Sequence, residues 1–199
     1  MASRQYIHQV TPTKDPGSSS LVRWASDLAA EHLLPIGDRW KHTAAVASRA
    51  VSALPVVMPQ DQTLLLSAAW LHDLGYAPEV ARTGFHPLDG ARFLEQLRAP
   101  KRVVNLVANH SCARFEAWER DLLPELAPYE LEVGPVADAL IFADMTTGPT
   151  GESVSVEDRL SEILRRYSEE DPVHRAIAEA STEIKAAVSR VEQRLAELL

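Results

Sequence analysis

The sequence predicts an all-α protein, and three observations carry that prediction. Apolar residues recur at spacings of three and four along most of the chain. No segment sustains the alternation of a strand. Proline, glycine and aspartate fall between the periodic stretches and punctuate them. At 199 residues the chain reads as one compact domain with terminal extensions.

Charge and composition narrow the function. The net charge of −8 disfavours nonspecific binding to nucleic acid or to an anionic membrane. A local basic pocket for a phosphorylated small molecule stays compatible with it. No apolar run approaches the roughly 20 residues that span a bilayer, and the first residues lack a signal-peptide core. The single cysteine, Cys112, leaves no internal disulfide to form and suits a reducing, cytoplasmic setting. No thiol motif surrounds it, so it reads as a small residue at a helix end.

Residues 1–20, with Thr11-Pro12, Asp15-Pro16-Gly17 and Ser18-Ser19-Ser20, read as a flexible lead-in that also holds His8. A helix follows over 21–34 on Leu21, Trp24, Leu28 and Leu33, with His32 near its C-terminus, where the helix dipole favours an imidazole. Residues 38–54 form a second helix, with Asp38 as N-cap and Pro55 as stop. His42 lies on the margin of its apolar stripe.

The stretch Ala68-Ala69-Trp70-Leu71-His72-Asp73-Leu74-Gly75-Tyr76 is the centre of the chain. Residues 62–74 are apolar nearly all round, as in a buried helix. Asp61 is a candidate cap and Gly75 a C-terminal stop. Such a helix ending in adjacent imidazole and carboxylate must pair, neutralise or coordinate its acid. Those residues alone fit a metal half-site or a satisfied ion pair.

Pro87 fits a first helical turn, which puts His86 at or beside the cap. Over 101–111, Val103, Val107 and His110 share one face. Over 134–144, Ala137, Leu140, Ile141 and Asp144 do the same, and an acid closing an apolar stripe needs a partner. Thr146 and Thr147 begin a loop of small and hydroxyl residues. Ser155 with Asp158 starts the next helix, whose apolar face is Leu160, Ile163, Leu164 and Tyr167. Asp171-Pro172 opens a last helix over 171–199, with His174 at its polar, exposed start. Its seam of Val173, Ile177, Ala180, Ile184, Ala187 and Val191 packs on the body of the chain or, as a homodimer contact, on a second subunit.

His42, His72, Asp73, His86, His110 and Asp144 all fall at ends or inward faces of successive helices. Their shared direction implies a common destination between helices, where bundle metal sites are built. One histidine, a later His-Asp pair and a distant aspartate form the pattern of the HD-domain metal-dependent phosphohydrolase superfamily. The chain resembles that superfamily at His42, His72-Asp73 and Asp144, and locally at Leu71-His72-Asp73-Leu74-Gly75-Tyr76 and Phe142-Ala143-Asp144-Met145. The resemblance spans about residues 25–170, with an HD domain over 21–170. Some members carry a second metal on two further histidines, and His86 and His110 stand in the matching places.

The resemblance implies a compact multi-helix HD-domain bundle. It implies one or two divalent transition metals (Mn, Fe, Co, Ni or Zn), for which mixed imidazole and carboxylate ligands are suited. Asp73 would bridge the two ions. The implied reaction is hydrolysis of a phosphomonoester or phosphodiester in a nucleotide-like small molecule by metal-activated water. Asp73 and Lys41 are the candidate catalytic residues. Phosphate charge needs a cationic clamp, for which Lys41, Arg82 and Arg114 are candidates, with Thr146 and Thr147 closing over the substrate. Two alternatives stand beside this: an HD-type diiron oxygenase, and a metal-binding regulatory module without turnover.

Overall fold

A computed structural model describes residues 18–198 of the protein. The lead-in up to residue 17, His8 included, lies outside the described residues. The described chain forms ten α-helices and five 3-10 turns, with no strand among the described residues. The helices are α1 Ser18–Leu33, α2 Asp38–Ser52, α3 Gln62–Leu71, α4 His86–Gln96, α5 Lys101–Asn109, α6 Arg114–Glu119, α7 Leu123–Leu126, α8 Pro135–Met145, α9 Val156–Arg166 and α10 Pro172–Ala196.

The all-α expectation holds, and the central stretch is central. Helix α3 packs against α1, α2, α5 and α8. It buries Leu64, Leu65, Ala68, Ala69 and Leu71. Its lack of a polar face follows from neighbours on several sides. Helix α10 lies along α8, α6 and α9, and its seam residues Ala180, Ile184, Ala187 and Val191 are buried within the chain.

Several boundaries differ from the sequence expectation. Ser18–Ser20 belong to α1 rather than to the lead-in. Asp38 does not cap α2: it is the first helical residue, Gly37 holds the cap position, and the Asp38 carboxylate takes Lys41 instead. Asp61 likewise gives no cap to α3, because Arg102 engages it. Helix α3 ends at Leu71, so His72 and Asp73 lie in the turn beyond it. Helix α5 ends at Asn109, and His110 leaves it with ψ 152°. Its inward direction therefore comes from the turn, not from helical register. His174 is half-buried, with Nδ1 3.1 Å from Leu164 O and 3.0 Å from Tyr167 O. Helices α6 and α7 occupy a stretch where no periodic signal is read.

The caps at Ser155 and Asp171 form as expected: Ser155 Oγ accepts from Asp158 N at 3.0 Å, and Asp171 Oδ1 accepts from Val173 N at 2.8 Å. Gly75 serves close approach rather than helix termination. A Cβ on it would lie 2.0 Å from His86 O. The missing side chain lets the turn after His72-Asp73 press onto the start of α4, which brings His86 beside Asp73.

Candidate metal centre

Three imidazoles are held by backbone carbonyls. His42, on the buried side of α2, holds Nδ1 2.9 Å from Gly148 O. His72 holds Nδ1 2.8 Å from Ala69 O. His110 holds Nδ1 2.7 Å from Val107 O. A carbonyl only accepts, so each Nδ1 donates and each Nε2 is left facing inward.

The partners at Nε2 define the chemistry. His42 Nε2 lies 3.1 Å from Asp144 Oδ1 and 3.7 Å from Asp73 Oδ2. His72 Nε2 is buried with no hydrogen-bond partner, 3.4 Å from Asp73 Oδ2. A ring lone pair set against a carboxylate is unfavourable unless positive charge lies between them. The donor set therefore fits a cation. It sorts into two groups that could each hold a metal ion: His42, His72 and Asp144, and Asp73, His86 and His110. Asp73 faces both, because its Oδ1 is 3.5 Å from His86 Nε2.

Charge placement agrees. Burial would raise the Asp73 pKa, but Arg39, His72 and His42 hold it well below the usual carboxylate range. Asp144 is lowered against burial by His42, His72 and, more weakly, Arg159. Burial would lower His72, yet Asp73 and Asp144 push it up to about 8. The two carboxylates thus favour positive charge beside that ring, which without a metal ion a proton supplies and which a bound ion would supply in its place. Burial and the neighbouring imidazoles lower both His86 and His110, which keeps these rings neutral, as ligands must be.

Two residues that the sequence reading passed over complete the site. Arg39 Nη1 donates to Asp73 Oδ2 at 2.6 Å. Its Cζ lies 3.9 Å from the centre of the Tyr76 ring, and Tyr76 stacks on His86 at 4.0 Å. Ser111 donates its hydroxyl to Asp144 Oδ2. Ser111 and Cys112 both have positive φ, 48° and 62°, a backbone state that costs energy outside glycine and clusters at functional sites.

The candidate clamp residues lie elsewhere. Lys41 points to the surface, 60% exposed, with Nζ 2.8 Å from Asp38 Oδ1. The Arg82 guanidinium bonds to the carbonyls of Ala81 and Glu79. Arg114 forks onto Glu183. Thr146 and Thr147 are buried and donate to Phe142 O and Ala143 O. They end α8 rather than cover a substrate. The loop that they begin acts through Gly148, whose carbonyl anchors His42. The cations that do line the cavity are Arg39, Arg159 and Arg166. A spacing argument favours neighbours of the ligands in sequence, whereas long cationic side chains reach the site from other helices.

A family model described as HD domain matches residues 39–145, more than half of the chain. The fold and the two His/Asp groups are those of a metal-binding helical domain, and the chain belongs to the HD-domain metal-dependent phosphohydrolase superfamily. No curated protein and no solved structure matches it.

Proposed function

We propose that the protein is a metal-dependent phosphohydrolase that cleaves a phosphoester of a small, nucleotide-like molecule. The observation that carries this reading is the convergence of inward Nε2 atoms on Asp73 and Asp144, with the buried, unpartnered Nε2 of His72 among them. HD domains bind divalent metals, and family members are generally hydrolases.

In this reading His42, His72 and Asp144 would hold one ion, and Asp73, with His86 and His110, would hold a second. A bound divalent ion supplies Lewis acidity, which makes water a nucleophile near neutral pH and polarises the phosphoryl oxygen. The chain's own residues supply the rest. The carbonyls of Gly148, Ala69 and Val107 fix ring orientation. Arg39 holds Asp73 ionised and oriented. Ser111 orients Asp144. Ile163 of α9, Tyr167 just beyond it, and Val173 and Ile177 of α10 are among the lining of the cavity, and such apolar lining would limit water around a phosphoryl group.

The test is elemental analysis of protein purified without added metal, followed by a panel of nucleotides and model phosphodiesters. Asp73→Ala is expected to lose metal and hydrolysis together. Full hydrolysis by a metal-free Asp73→Ala protein sinks the reading. The second group of ligands also supports a diiron oxygenase, for which iron content together with dioxygen consumption is the discriminating result.

A further inference from the structure

Arg159 is a cation on the cavity lining, beside Arg39 and Arg166. It belongs to α9, beyond the residues that match the HD family. Only 7% of its side chain is exposed. Nη1 donates to Glu162 Oε2 at 2.6 Å, whereas Nε is buried and has no partner. Glu162 does not depend on this contact, because its other oxygen takes Arg166.

A guanidinium presents its donors in a rigid planar fork, and a buried donor left unpaired is costly. Such a donor in a native structure calls for an explanation, and an anion that binds there is one. Arg159 lines the same cavity as Asp73, His86, His110 and Asp144. All three cations there hold a carboxylate, Arg39 that of Asp73 and both Arg159 and Arg166 that of Glu162, but of the three only Arg159 keeps a buried donor, Nε, without a partner. Glu116, an acid on the same cavity, is paired with Arg120 at 2.7 Å. Asp144, also on the cavity, feels the charge of Arg159 but is hydrogen-bonded by His42 and Ser111 rather than by it, and the apolar lining residues Ile163, Val173 and Ile177 offer Nε no acceptor.

We propose that Arg159 binds the non-bridging oxygens of the substrate's phosphoryl group, as a specificity residue that a helix outside the HD core delivers to the metal centre. The fork of an arginine matches two oxygens of a phosphate. The proposal rests on the phosphohydrolase reading, but the anion site can be measured without turnover.

Inorganic phosphate titrated calorimetrically into metal-loaded protein is the probe, with the metal content of each protein measured alongside. Wild type is expected to bind phosphate. Arg159→Met is expected to weaken it by at least about tenfold, with Arg159→Lys in between, and metal content unchanged. Equal affinity in all three proteins overturns the proposal. So does absence of phosphate binding by wild type, or metal loss in Arg159→Met with unaltered phosphate affinity in the loaded fraction. If the Met variant does not fold, the Lys variant carries the comparison, because it keeps a charge beside Glu162. Turnover of an aryl phosphate by wild type, followed in parallel, separates the two claims. Phosphate binding without turnover removes the hydrolase reading and leaves the anion site standing.

Discussion

The two ligand groups differ in how the protein holds them. His42 and His72 are 1% exposed, and each ring is anchored to a backbone carbonyl. Asp144 beside them is fixed by Ser111. In the other group His110 is anchored in the same way, but His86 is 17% exposed and leans on the Tyr76 ring instead. The first group is set before an ion arrives; the second keeps one ring that can adjust. Preorganised ligands bind more tightly, because less freedom is lost on binding. If each group takes an ion, the first would hold it more tightly and the second would exchange it more readily.

The largest effect expected from this difference lies in metal stoichiometry. His72→Ala should empty the buried group and lower hydrolysis by more than about a hundredfold, the upper end of what loss of an outer partner costs. His86→Ala should leave the buried group loaded and remove only the more exposed ion. Elemental analysis of the two variants checks this, and equal metal loss in both would erase the distinction.

A smaller effect is expected at Ser111. Ser111→Ala removes the donor to Asp144 without touching a ligand. Metal affinity should fall by about 10–100-fold, measured by competition with a chelator. An unchanged affinity would mean that Asp144 is positioned by His42 alone.

The smallest effect concerns Cys112, in the turn behind His110. Burial and Glu183 push its thiol up to about 12. It should resist alkylation at pH 8 in the folded protein and react once the chain unfolds. The sign of its pH dependence follows. The folded thiol keeps its proton where the unfolded one, near 8.5, has lost it. The contribution to stability is intact below about pH 8.5 and is lost as pH rises toward about 12. Denaturation midpoints across that range check the direction.

The contrast between the groups was only half legible in the sequence. His42 and Asp144 sit on helices whose apolar periodicity is local, so their inward direction could be read from spacing. His86 is different, because its position depends on Gly75 yielding space to the His86 carbonyl. That contact is visible only once two backbones meet. His110 shares a face with Val103 and Val107 in the sequence, yet it lies past the helix end and turns inward ahead of Ser111 and Cys112, both at positive φ. Lys41, Arg82 and Arg114 are neighbours of ligands along the chain, which is all that spacing can show. Side-chain reach is set by packing, and each of the three has a carboxylate or carbonyl partner elsewhere.

The sequence by itself determined the helical class, the caps at Ser155 and Asp171, the buried character of α3, and the residue types able to ligate a divalent ion. These depend on hydrophobic period, turn chemistry and donor atoms, all of which are properties of a residue and its near neighbours. The tertiary structure alone decided that Gly148 orients His42 across 106 positions, that Arg39 rather than Lys41 meets Asp73, and that α9 brings Arg159 to the cavity. These are contacts between distant segments. Their partners are selected by how helices pack, and no local pattern in the chain encodes that choice.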